Sequence, residues 1–262
     1  MTAPSRPSVL TALTEALTSG AVEIVDLTAP LADTTPILEL PEQFGQTARF
    51  ELEEISRYDD RGPAWYWNNF RTGEHTGTHF DAPNHWASGR DGQDIASVPV
   101  GALVAPAVVL DVTAEVADEP GYIVERERVE AFAEEIGGLP RGGWLLVRSG
   151  WSSRTTQEEM INRTADGPTS PGLSVEAARW VAEDTELQGL GVETVGTDAG
   201  AAGGFDPLFP CHHFFLGNGK YGLSQLRNLD RLPETGAVVL TSPLKIVGGS
   251  GSPTRALALV EH

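Results

Sequence analysis

The chain of 262 residues contains one cysteine, Cys211. An intrachain disulfide is therefore excluded, and the single thiol fits a reducing compartment. Basic residues are scarce: 18 Lys and Arg stand against 37 Asp and Glu, a formal charge of −19. Phosphate recognition needs a basic stripe, so this balance argues against nucleic acid and against anionic membrane surfaces as partners. The acidic excess is spread along the chain and reads as a solvated surface. No stretch approaches the roughly 18 uninterrupted apolar residues of a membrane span. The N-terminus lacks a basic region followed by an apolar run. Residues Ser8–Gly20 alternate apolar side chains with Thr and Glu, which predicts a short amphipathic helix and no signal peptide. A cytoplasmic location is expected, and the sequon at Asn162 then has no role.

A hydrophobic fraction of 40% is enough for a substantial core. Apolar, β-branched runs predict strands at Val22–Leu27, Ala107–Val112, Trp144–Arg148, Val192–Thr197, Ala237–Pro243 and Ala256–Val260. Glu125–Ile136 predicts a helix ended by Gly137-Gly138, and a second helix starts at Ser174 as N-cap with Glu176 in its first turn. Strand, helix, strand repeats twice, so an α/β fold with parallel pairing is expected. No composition shift marks a linker, and one domain over residues 1–262 is the reading. The turn-rich stretches Tyr58–Pro63, Asn162–Pro171 and Gly196–Gly204 are expected to wall a site.

Three of the six histidines fall between residues 75 and 85. His75, His79 and Asp81 form an H-x3-H-x-D set, and two imidazoles with a carboxylate are a three-ligand set for one divalent metal with open positions. Zinc and manganese both suit it. His85, four residues on, is placed to carry a proton. In a straight strand His75 and His79 would lie about 13 Å apart, at roughly 3.3 Å per residue, too far to share an ion. Gly77, Thr78 and Pro83 oppose a helix. A tight bend at Gly77-Thr78 is therefore predicted, with Pro83 holding His85 at the rim.

The run His75, Gly77, Thr78, His79, Asp81, Pro83, His85 spells H-x-G-T-H-x-D-x-P-x-H. It resembles the signature of the cyclase family of metal-dependent amide hydrolases, which includes bacterial kynurenine formamidases and isatin hydrolases. The similarity extends to Gly196-Thr197-Asp198-Ala199-Gly200, to Phe209-Pro210 with His212, to Asn228-Leu229 with Leu232-Pro233, and to Pro243-Leu244-Lys245 and Pro253-x-Arg255-Ala256. The resemblance implies a barrel-like mixed β core flanked by helices and a homo-oligomer, a dimer or larger. It assigns the metal to His75, His79 and Asp81, and acid/base chemistry to His85. In the formamidase branch a histidine corresponding to His212 and a glutamate twelve residues later help bind a second metal. Here that later position is Ser224, followed by Gln225, and a hydroxyl is a poor metal ligand. The isatin hydrolase branch lacks the glutamate and works with one metal, usually manganese. Trp65-Tyr66-Trp67-Asn68 and His85-Trp86 resemble that branch as well.

What the resemblance implies is water attack on the carbonyl of an aromatic cyclic amide such as isatin, giving the ring-opened amino-acid carboxylate. A metal lowers the pKa of its bound water and polarises the carbonyl, and His85 takes the proton. Trp65, Trp67 and Trp86 are candidates for an aromatic wall against a planar substrate. His212 and Gln225 are candidates for substrate contact or proton carriage. Hydrolysis of N-formylkynurenine, and of a lactone or cyclic imide, are the alternatives, since the same water attacks any activated carbonyl. Other motifs carry little. Gly217–Gly222 matches G-x-G-x-x-G outside a βαβ unit, Cys211 beside His212 lacks a third partner, and no G-x-S-x-G elbow is present.

Overall fold

The computed structural model describes residues 8–40, 43 and 45–261. Its main strands are β1 (Val22–Asp26), β2 (Glu51–Arg57), β3 (Tyr66–Arg71), β4 (His79–Asp81), β5 (Val104–Asp111), β6 (Trp144–Arg148), β7 (Gly189–Val192), β8 (Tyr221–Ser224), β9 (Ala237–Pro243) and β10 (Gly251–Glu261). Its longer helices are α1 (Val9–Ser19), α2 (Arg126–Glu135) and α3 (Val175–Glu183). The strands close in the order β10-β9-β5-β6-β7-β8-β4, and β4 pairs back onto β10 to form a seven-stranded barrel. The expected barrel-like α/β core is thus present. Strands β5 to β8 run parallel, and the remaining barrel pairs are antiparallel. β10 is long enough to take two partners along one edge. Residues 251–253 pair with β4 and residues 257–261 with β1.

The parallel half is buried on both faces, so neighbouring residues serve different cores. Val109, Trp144 and Leu146 point into the barrel with Phe80, Leu223, Val239 and Ala258. Val108, Leu145 and Val147 point outward, against Phe132 of α2 and Ala178 and Val181 of α3. Each such side chain contributes about 1.5–3 kcal/mol of hydrophobic stabilisation. α3 begins as predicted, with Ser174 Oγ accepting from Ala177 N–H at 3.2 Å. α1 runs from its cap Ser8 to a left-handed Gly20.

Two expectations need correcting. The strand predicted at Val192–Thr197 ends at Val192, and its body is Gly189–Val192. The two glycines that hide it are steric requirements. A Cβ on Gly189 would stand 2.3 Å from the Trp144 ring, and one on Gly191 2.5 Å from Leu146 Cδ2. Residues beyond Val192 bend towards the site. The second difference is the antiparallel β2–β3 ribbon, which surrounds the predicted turn and was not legible as strands. Its exposed faces lack the alternation that marks a half-buried strand.

Candidate metal centre and active site

β4 is three residues long, and period-2 alternation decides its use. Phe80 enters the barrel core, while His79 and Asp81 share the outer face. The bend before it is the predicted one: Gly77 has φ +67°, in the left-handed region. That turn carries His75 back, so its Nδ1 lies 2.7 Å from Asp81 Oδ1, and His79 Nε2 lies 3.3 Å from the same oxygen. One donor atom from each of the three residues lies within 4.8 Å of the others. Pro83 opens a short 3-10 turn that ends at His85. The His85 ring stacks on His75, with centroids 3.8 Å apart.

The hydrogen bonds around the set decide which atoms face inward. His79 Nδ1 lies 2.7 Å from the Gly77 carbonyl, which can only accept, so Nδ1 carries the proton and Nε2 keeps a lone pair. His75 Nε2 faces Ser250 Oγ at 2.9 Å, on the side away from Asp81. Burial alone would raise the Asp81 pKa, but the His79 and His75 imidazoles beside it outweigh burial and hold it well below the usual carboxylate range. Three acceptors then converge in a buried space, and a cation is what such a set stabilises.

The neighbours of Asp81 on both sides are glycines: Gly222 on β8 and Gly251 on β10. A Cβ on Gly222 would stand 2.6 Å from Asp81 Oδ2, and one on Gly251 2.5 Å from His75 Cε1. The cradle exists because neither residue has a side chain. Donor chemistry and cradle therefore both fit a divalent metal held by His75, His79 and Asp81.

His85 faces this set and His212, whose ring centroid is 5.5 Å away. Burial, then the charge of His75, push the His85 pKa down to about 3, so the imidazole is neutral near pH 7. His212 belongs to a π-helical turn, His212–Leu216. Its Nδ1 donates to Asp198 Oδ2 at 2.5 Å, and Asp198 also accepts from the backbone N–H groups of Cys211 and His212. Burial opposes protonation of His212, but the hydrogen bond and charge of Asp198 outweigh it, and its pKa stands above the ordinary value.

Trp86 lies beside this pair, 5.0 Å from His212 and 5.6 Å from Phe209. Trp65 and Trp67 are placed elsewhere. They stand on the ribbon, 49% and 53% exposed, in edge contact with each other, and neither ring reaches the imidazole cluster. Gln225 is buried beneath the bend. Its side chain donates to the Pro36 carbonyl, and its own carbonyl accepts from Thr78. Among the described residues its Oε1 has no hydrogen-bond partner, nor has the buried Oγ of Ser224, which sits opposite His79 in the strand register. Glu74, Ser250 and Gly251 were not singled out from the sequence, and Gly222 was read only as the end of a discounted glycine motif. Each acts through a partner remote in the chain, which leaves no local spacing to read.

The Cyclase family profile matches residues 25–199, more than half of the chain. The isatin hydrolase of Roseibium aggregatum is 42% identical over 98% of this chain and 98% of its own length. The crystal structure of an isatin hydrolase bound to the product analogue thioisatinate superposes with a TM-score of 0.95 at 40% identity, over 98% of this chain and 100% of that one. The kynurenine formamidase of Salinibacter ruber is 31% identical over 72% of this chain and 77% of its own. With the profile matched across the H-x-G-T-H-x-D-x-P-x-H bend and full-length similarity on both sides of it, this chain belongs to the cyclase family.

Proposed function

We propose that the protein is a metal-dependent hydrolase that opens the amide ring of isatin to isatinate. The observation that carries the substrate is the similarity to an isatin hydrolase over 98% of both chains. The chemistry rests on the site. When bound, a divalent cation lowers the pKa of a water molecule and polarises a carbonyl. His75, His79 and Asp81 would hold the cation. His85 stacks on His75 beside the donor set, and we assign it the proton of the attacking water. As the C–N bond breaks, one proton goes to the ring nitrogen through His85 and the other to solvent, leaving an amine and a carboxylate. His212, aligned and kept basic by Asp198, is positioned to pair with that carboxylate. Trp86 offers a flat face to an aromatic ring.

Manganese is the favoured metal and zinc the alternative. Among the described residues no helix is long and apolar enough to cross a membrane, and we place the protein in the cytoplasm as a homo-oligomer. The exposed β2–β3 ribbon is the candidate for its self-association surface, because it presents Leu52 and Phe70 on one face and Trp65 and Trp67 on the other. N-formylkynurenine is disfavoured as substrate, because Ser224 stands where a second-metal carboxylate is expected. The deciding assay gives the purified protein isatin, N-formylkynurenine, a lactone and a cyclic imide, each with manganese and with zinc. Loss of isatin absorbance with a product heavier by one water supports the reading. Brisk turnover of N-formylkynurenine with no turnover of isatin refutes it.

A further inference from the structure

We propose that Glu74 and Ser250 are positioning residues that fix which nitrogen of His75 faces the cation site, and thereby set the affinity of that site for a divalent metal. The inference rests on the metal-site reading above and deepens it.

The direction of the hydrogen bonds is determined by the groups themselves. Glu74 Oε2 accepts from the Ser250 hydroxyl at 2.7 Å and from the Ser250 backbone N–H at 3.1 Å. A carboxylate has no proton to offer, so the one hydroxyl proton of Ser250 points at Glu74. Ser250 Oγ, 2.9 Å from His75 Nε2, can then only accept. Nε2 therefore carries the His75 proton, and Nδ1 turns a lone pair towards the cation. The competing tautomer is attractive without this chain. It would place Nδ1–H 2.7 Å from Asp81 Oδ1, in a buried hydrogen bond that blocks both ligand atoms at once. With Ser250 committed to Glu74, that tautomer sets the Nε2 lone pair against the lone pairs of Ser250.

The surroundings are built for the contact. A Cβ on Gly249 would stand 2.8 Å from Glu74 Oε1, so the glycine leaves room for the carboxylate. The Ser250 backbone is anchored separately, since its carbonyl accepts from Ala82 N–H at 2.9 Å. Loss of the hydroxyl alone leaves that anchor in place. Groups that orient a metal-binding histidine typically change metal affinity 10–100-fold when removed.

The test compares wild type with Ser250→Ala, Glu74→Gln and Ser250→Thr. Manganese and zinc dissociation constants are measured by competition with a chelator. Nitrogen-15 NMR of the metal-free proteins reports the His75 tautomer. Ser250→Ala should weaken both metals about 10–100-fold and move the His75 proton to Nδ1, with the metal-free melting temperature unchanged. Glu74→Gln keeps the shape, but its amide can donate to Ser250 and free the hydroxyl proton to face His75, so it should weaken binding too. Ser250→Thr keeps the hydroxyl and should restore both readouts. Wild-type affinity in Ser250→Ala and Glu74→Gln, or an unchanged tautomer, overturns the proposal. If Ser250→Ala does not fold, Glu74→Gln decides by the same two measurements. A wild-type protein that binds neither metal refutes the underlying metal reading instead, and the tautomer measurement still judges the hydrogen-bond chain.

Discussion

Gly222→Ala tests the cradle directly. The added methyl would sit 2.6 Å from Asp81 Oδ2 and 3.1 Å from Thr197 Cγ2. Ordinary contact needs about 3.5 Å, so the carboxylate must retreat by roughly 0.9 Å. Metal–ligand distances tolerate only about ±0.2 Å, and Asp81 cannot follow the displacement and still coordinate. A misplacement of about 1 Å at a reacting centre costs about 100-fold, which is about 2.7 kcal/mol at 1.36 kcal/mol per factor of ten. We expect manganese affinity and kcat/KM both to fall by about that factor. The barrel should survive, because the clash is with side chains and the β8 backbone pairs are untouched. Gly101→Ala serves as control, since nothing lies within 4 Å of the place its methyl would take. Chelator competition, melting of the metal-free protein and steady-state kinetics make the assay. Wild-type metal affinity in Gly222→Ala would refute the claim that the cradle depends on a missing side chain.

Three further outcomes are expected. His85→Ala should lower kcat by about 10²–10⁴-fold while leaving metal affinity near wild type, and unchanged turnover would remove His85 from the chemistry. Asp198→Asn keeps an acceptor for the Cys211 N–H but removes the charge beside His212. The His212 pKa should then drop, read from its ring protons by NMR. Because the folded-state pKa is raised, the stability that the Asp198–His212 pair contributes is fully present below about 6.5. It is lost as pH rises through the folded value, so urea denaturation should separate wild type from Asp198→Asn at pH 6 and bring them together at high pH. Manganese at about 100 times its dissociation constant should stabilise the protein by about 2.7 kcal/mol, a rise in melting temperature of roughly 5–10 °C for a chain of this size. Asp81→Asn should show almost none of that rise.

The chemistry of the site was written locally, and for that reason it was legible. His75, His79, Asp81 and His85 lie within eleven residues, and Gly77 between them forces one bend, so spacing alone brings the donors together. Two of the parallel strands, β5 and β6, and the helices α2 and α3 could also be read, because burial on both faces leaves apolar runs such as residues 144–147. Strand β7 could not be read in the same way. Its glycines yield space to Trp144 and Leu146, residues more than 40 positions away.

The same limit hid Gly222, Gly251, Ser250 and Glu74. Their value lies in what stands opposite them once β8 and β10 flank β4. Trp65 and Trp67 show the converse. They are near the histidines in sequence, yet within this chain the ribbon holds them half-exposed and apart from the imidazole cluster. Ligand identity and a single bend are local properties, so the order of residues was enough to say which atoms could bind a cation. How those atoms are oriented, and how much room they have, came only with folding, since both depend on strands paired across more than 100 residues of chain.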